Sequence, residues 1–219
     1  RLSLVGSEMC IRDRDHIPAQ PGVVGPNFEA SASGDVYYSN EFEAPLIGDW
    51  SYFTDSGTGE NDEGFIYGVD SSRLKFDIER KNTYVYFLYN QMELTDVRMD
   101  TLVENLGRNT NNVTLICRYS DKGWYEFSVF NNGEYAIWFY DAVDQQRYLP
   151  LFTGGSLEIN TGKDLNEITA ICEGNQLSLT INGVAVRTVT DDRLVAGLSG
   201  LGVASFEILP IIVEFDHFI

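Results

Sequence analysis

Short stretches rich in β-branched and aromatic residues recur along the chain with turn residues between them, among them "DVYYSNEFEA", "GFIYGV", "RLKFDI", "TYVYFLYN", "MELTDVRMDT" and "NVTLICRYS". "WYEFSVF", "EYAIWFY", "EITAICE", "QLSLTI", "VAVRTV", "GLGVAS" and "IIVEFDHF" continue the series. In "QLSLTI", Leu177, Leu179 and Ile181 alternate with Ser178 and Thr180, the period of a strand with one buried face. Asn132-Gly133 and Asn182-Gly183 carry the dipeptide that tolerates positive φ at two successive positions, as a two-residue hairpin turn requires. Asp121-Lys122-Gly123 and Glu173-Gly174-Asn175 predict slightly longer hairpin loops. Four successive hairpins between about residues 113 and 189 then make an antiparallel meander. A helical period is confined to a single turn near Asp192–Val195, where Asp191-Asp192 reads as a turn or helix start. So many short strands at this spacing predict an all-β sandwich or barrel.

The first residues break this pattern. "RLSLVGSEMCIRDR", residues 1–14, has neither the apolar core of a signal peptide nor the acidic bias of the remaining chain. Glu8–Asp13 is the translation of the transposon-end string GAG ATG TGT ATA AGA GAC, so residues 1–14 read as a translated sequencing adapter ahead of a fragment. Residues 15–34 carry three prolines and three glycines without period and predict a linker or extended arm. The folded domain is then expected over 35–219.

Composition narrows the function. The chain has 219 residues and a formal net charge of -18, from 33 acidic against 15 basic side chains. Such a surface repels phosphate backbones and anionic headgroups, which argues against nucleic acid as a partner. The longest apolar stretch, "FEILPIIVEF", is too short to span a bilayer and is broken by Pro210. His16 and His217 stand near opposite ends and no CxxC pair exists, so nothing local builds a zinc site or a Cys-His nucleophile. Cys117 and Cys172 lie mid-strand beside apolar neighbours, which fits either two small buried thiols or a disulfide between strands. Asn112-Val113-Thr114 is a glycosylation sequon of the kind that chance supplies in a chain of this length.

Arg118, Tyr119 and Asp121 in "RYSD", Tyr125 and Phe127, the Gly133 turn, and Asn166 ahead of Cys172-Glu173-Gly174 form an ordered pattern. Leu179, Asn182 and Gly183, then Asp191, Gly197, Gly200-Leu201 and a closing Phe215, Asp216 and Phe218 continue it. With Phe42, Trp50 and Gly64 upstream, this resembles the concanavalin A-like lectin/glucanase superfamily, closest to bacterial laminin-G-like and keto-disaccharide-hydrolase-like (DUF1080) domains. The resemblance implies a jelly-roll β-sandwich of two antiparallel sheets, and leaves function to the site. The superfamily's glycosidases place Glu-x-Asp-x-x-Glu on one strand, and this chain lacks it. The nearest strings, Asp77 and Glu79 in "FDIER" and Glu60, Asp62 and Glu63 in "ENDEG", lack a third carboxylate or fall in a loop.

A sugar site needs aromatic platforms and planar polar groups. Trp124, Glu126, Trp138 and Tyr140 alternate with Tyr125, Phe127, Ile137 and Phe139, with Arg118 nearby, and are the expected carbohydrate-binding residues if their faces are not simply core. The resemblance also implies calcium, for which two oxygen sets exist: Asp55, Glu60, Asp62 and Glu63 in one loop, or Asp216 with Asn40 and Glu41 of the first strand. Together these residues point to a non-catalytic carbohydrate-binding or adhesion module of an exported or cell-surface bacterial protein, whose partner is a glycan or cell-surface polysaccharide. A glycan hydrolase of the same superfamily and a structural protein-interaction domain are the alternatives.

Overall fold

The computed structural model describes residues 15–16, 27–30, 36–46, 48–55, 64–108, 111–144 and 146–219. Every element in these residues is a strand: β1 (Asp15–His16), β2 (Asn27–Ala30), β3 (Val36–Ser39), β4 (Trp50–Asp55), β5 (Phe65–Asp70), β6 (Arg73–Ile78), β7 (Tyr84–Leu94), β8 (Val97–Asn105) and β9 (Asn111–Ser120). There follow β10 (Gly123–Phe130), β11 (Glu134–Asp141), β12 (Arg147–Gly155), β13 (Leu165–Glu173), β14 (Gln176–Ile181), β15 (Val184–Thr190), β16 (Gly197–Ser205) and β17 (Ile211–Phe215). They form an eight-stranded sheet in the order β1-β4-β7-β16-β9-β10-β11-β12 and a seven-stranded sheet in the order β15-β14-β13-β8-β17-β6-β5, with β2 and β3 paired apart. All pairings are antiparallel, and the crossing order is that of the expected jelly-roll sandwich.

The expected meander is divided. Strands β9 to β12 run as neighbours in the eight-stranded sheet, but β13 to β15 cross to the other sheet after the turn at 156–164. The residues expected as an arm also pair: Asp15 and His16 lie opposite Tyr52 and Ser51, and Asn27–Ala30 opposite Val36–Ser39, so pairing crosses residue 35. Asn182 and Gly183 have φ of 49° and 79°, as a two-residue turn demands, whereas at Asn132-Gly133 only Gly133 is positive, at 94°. Gly133 there closes a longer turn by donating its N–H to the Phe130 carbonyl at 3.1 Å.

Between the sheets lies the main core. Val85, Phe87, Tyr125, Phe127, Ile137, Leu201 and Val203 of the larger sheet pack against Leu74, Phe76, Met99, Leu177, Leu179, Ile181, Val213 and Phe215 of the smaller. Cys117 on β9 is disulfide-bonded to Cys172 on β13, a link between the sheets with Cα atoms 6.8 Å apart. No helix turn forms at Asp192–Val195. That segment is held by Tyr125 instead, whose hydroxyl donates to Asp191 Oδ1 at 2.6 Å and accepts from the Leu194 N–H at 3.0 Å.

Candidate functional site

Alternation sends Tyr125, Phe127 and Val129 of β10 into the main core, so Trp124, Glu126 and Ser128 stand on the opposite face of the larger sheet. Register carries that face across the strands. Glu126 pairs with Ile116 and Trp138, Trp124 with Tyr140, and Tyr140 with Tyr148. Ile116 pairs with Gly200 and Gly200 with Leu88, while Tyr86 lies opposite Phe53 and Gly202.

The face is strongly curved. β4 and β10 are separated by β7, β16 and β9, which in a flat sheet would place them about 19 Å apart. Yet the Phe53 ring centroid lies 5.8 Å from Trp124 and 5.5 Å from Tyr119, and Phe53 stacks on Tyr86 at 4.9 Å. Trp124 stacks on Tyr140 at 4.0 Å. The concavity is therefore filled by the chain's own rings, which make a second core of Phe53, Tyr86, Leu88, Ile116, Tyr119, Trp124, Tyr140 and Leu198. Gly200 lets the strands approach here: a Cβ on it would stand 2.0 Å from the Phe87 carbonyl oxygen.

Glu126 is embedded in this second core and only 3 % exposed. Its Oε1 accepts from Ser128 Oγ at 2.8 Å and Thr114 Oγ1 at 3.4 Å. Its Oε2 accepts from Tyr86 Oη at 3.3 Å and Trp124 Nε1 at 3.4 Å. Tyr148 Oη lies 2.7 Å from Tyr86 Oη and is the donor whenever Tyr86 gives its proton to Glu126. Burial pushes the Glu126 carboxyl above its ordinary range, against the lowering effect of Ser128, Tyr148, Trp124 and Tyr86. The same burial, with the Glu126 charge beside them, drives the Tyr86 and Tyr148 hydroxyls well up, and takes Tyr84 to about 12.

A raised carboxyl has a stability consequence. Protonated Glu126 stabilises the fold fully below its unfolded value of about pH 4.5, and that contribution is lost as pH rises through the higher folded value. Glu126→Gln stays neutral throughout. Relative to the wild type, its thermal midpoint is expected to rise as pH climbs above the unfolded value and to level off once the folded carboxyl is ionised; a difference that does not change with pH would show that the carboxyl is unperturbed.

The expected sugar-binding residues are thus divided by the tertiary structure. Trp124, Glu126, Trp138 and Tyr140 share one face, but Trp124 and Tyr140 are buried and only Trp138 is left partly exposed, with Tyr148 beside it at 6.2 Å. Arg118 does not join them. Its backbone has a φ of 55°, which interrupts the alternation of β9, and its side chain is 1 % exposed. Its Nε donates to the Thr95 carbonyl at 2.9 Å and its Nη1 to the Leu194 carbonyl at 3.0 Å, with Nη2 3.5 Å from Asp96. Arg118 is thus a buried brace between two loops.

For calcium, the first and last segments do meet, since Asn40 bridges Phe218. Their oxygens are engaged elsewhere: Asn40 Oδ1 accepts the Phe42 N–H, Glu41 Oε1 accepts Ser39 Oγ, and Asp216 pairs with Arg73 at 3.5 Å. Among the described residues no group of three or more His, Cys, Asp or Glu side chains could hold a metal ion. Glu60, Asp62 and Glu63 lie outside the described residues. Asp77 belongs to β6 in the other sheet, and the sequon's Asn112 is 4 % exposed within β9, closed to glycosylation in the fold.

Sequence reasoning passed over Tyr86, Tyr148, Phe53 and Ser128. In "TYVYFLYN" both alternating sets are apolar or aromatic, the signature of a strand buried on two faces, and that was the available signal.

With two crossing antiparallel sheets and a curved larger sheet, the protein has the concanavalin A-like jelly-roll fold. Solved structures similar to it include the carbohydrate-binding module CBM66 from Bacillus subtilis, with a TM-score of 0.52 at 13% identity over 69% of this chain and 91% of that one. The laminarinase catalytic domain from Thermotoga maritima MSB8 gives a TM-score of 0.60 at 9% identity over 88% of this chain and 97% of that one. LamA from Z. galactanivorans, solved with laminaritriose and laminaritetraose, gives 0.57 at 11% over 83% and 96%. No protein-family model and no curated protein matches the chain.

Proposed function

We propose that this domain is a non-catalytic glycan-recognition module that takes a polysaccharide chain at the rim of the larger sheet, where Trp138 and Tyr148 stand. The observation that carries the reading is the contrast across one face. Trp124, Tyr140 and Phe53 are packed away, whereas Trp138 keeps an accessible indole next to Tyr148, above Glu126. An aromatic ring so presented stacks on the apolar face of a pyranose, and a rigid second core beneath it holds the platform in place. The likeness in fold to a carbohydrate-binding module and to laminarinases supports a glycan as the ligand class. The inter-sheet disulfide supports export to an oxidising compartment, outside the cell or at its surface.

Calorimetric titration with laminaritriose, laminarin and other polysaccharides tests the reading. Trp138→Ala is expected to weaken binding at least about tenfold, or ~1.4 kcal/mol, with the thermal midpoint unchanged within a few degrees. Absence of binding to every glycan, or full binding by Trp138→Ala, removes it.

Hydrolysis is the second reading, favoured by one observation: a carboxyl raised by aromatic burial, Glu126, is the environment of a general acid. Glycoside hydrolysis asks for a second carboxylate on the same face. Asp55, opposite Tyr84 on β4, supplies one. Release of reducing ends from laminarin, abolished by Glu126→Gln, would establish hydrolysis and displace the binding reading.

A further inference from the structure

Charge, as well as shape, bears on what the Trp138 platform accepts. Trp138 lies directly opposite Glu126 across β10 and β11, which brings the two side chains to about 5 Å at Cβ on one face. Glu126 has four hydrogen-bond donors and no counter-charge. Ser128, Thr114, Tyr86 and Trp124 are all neutral, and among the described residues no lysine, arginine or histidine pairs with it. The strands of the larger sheet contain two arginines and no lysine. Arg118 is turned to the loops at Thr95 and Leu194, and Arg147, opposite Asp141, is one residue out of phase with Tyr148 and so belongs to the reverse face. Hydrogen bonds hold the carboxylate without cancelling its charge. Enclosed by the second core rather than by water, that charge acts through a low dielectric and reaches the platform with little screening.

The other titratable groups around Glu126 bring no positive charge. They are Tyr84 and Tyr86 on β7, Tyr119 on β9, Tyr140 on β11, Tyr148 on β12 and, further off, Asp55 on β4. Burial pushes the Tyr84, Tyr86 and Tyr148 hydroxyls up, so they stay neutral where a carboxyl titrates. Glu134 shares the face, but it is exposed and stands four residues from Trp138 along β11, about 13 Å away. The net charge of -18 has the same sign. Exposed charges of this kind are screened beyond about 8 Å at about 0.15 M salt. Glu126, paired with the platform and shut off from solvent, is screened far less. A polysaccharide bearing sulfate or carboxylate therefore meets a like charge that water does not relieve, whereas a neutral one meets only rings and hydroxyls.

Resting on the glycan reading, we propose that Glu126 is a specificity-determining residue: its buried charge turns sulfated and uronate-bearing polysaccharides away from Trp138 and leaves the platform to neutral ones. The probes are laminarin and sulfated laminarin, which share a backbone and differ in a charge that persists at every pH used. Calorimetry on the intact protein at about 0.15 M salt gives the ratio of the two affinities from about pH 4 to about pH 9. In the wild type the preference for laminarin is expected to grow about threefold or more as pH rises and Glu126 ionises. In Glu126→Gln the ratio should keep the wild type's low-pH value throughout, because the amide carries no charge. Glu134→Gln, which removes an exposed charge from the same face, should retain the pH dependence. The wild-type profile carries the test by itself should Glu126→Gln fail to fold. A wild-type ratio that does not change with pH, a folded Glu126→Gln whose ratio follows pH as the wild type's does, or loss of the pH dependence in Glu134→Gln would each overturn the proposal and leave the glycan reading standing. Binding of neither polysaccharide at any pH would remove both.

Discussion

Replacing Cys117 and Cys172 together by serine is expected to destabilise the protein by about 4 kcal/mol, the chain-entropy value for a link closing 55 residues. For a chain of this size the thermal midpoint should fall by roughly 8–16 °C. The bond spans the two sheets, and in its absence β9 and β13 are held to one another only by packing and by the chain between them. Reductant should lower the wild-type midpoint by a similar amount and leave the double variant unmoved. Equal midpoints for oxidised wild type and variant would mean that the cross-link contributes nothing beyond the core around it. Alkylation under non-reducing conditions checks the premise directly, with neither cysteine modified.

Arg118 carries the second large effect. Its guanidinium is 1 % exposed and supplies hydrogen bonds to two carbonyls, of Thr95 and Leu194, that belong to separate loops. Truncation leaves those acceptors without donors inside the protein and opens a space beside Tyr125, at a cost of about 3–5 kcal/mol for Arg118→Ala. The position's φ of 55° refines the expectation. Glycine is at ease in that region where alanine is not, so Arg118→Gly should lose about 1 kcal/mol less than Arg118→Ala. Denaturant melts of the two variants decide the matter. If alanine proves no worse than glycine, the backbone is not held in that conformation, and if both are neutral the brace is not one.

The brace and the disulfide were legible in the sequence to different degrees. Arg118 was expected near Trp124, on the strand before the Asp121–Gly123 loop. The positive φ at Arg118 changes the register, so that Tyr119 joins Trp124 and Phe53 on the outer face and Arg118 turns to the loops. A slip of one residue exchanges faces, and nothing in the local pattern announces it. The cysteines were easier to place. Both sit in phase with apolar neighbours, which was enough to put them in the interior, although whether the two thiols would meet depended on how the sheets stack.

Hydrophobic period and turn chemistry determined by themselves that this is an all-β sandwich or barrel, where most strands begin, and which members of β10 and β14 alternate. They did so because alternation and left-handed turn positions are local properties, set by steric constraints within a few residues. Only the tertiary structure decided that the hairpin series divides between two sheets and that the larger sheet curls until Phe53 meets Trp124. It likewise decided that Glu126 lies under Trp138 in a cage of hydroxyls rather than in an open cleft. Curvature is the sum of small twists across many strands, and contacts between β4 and β10 join residues roughly seventy positions apart, so no window of sequence contains them.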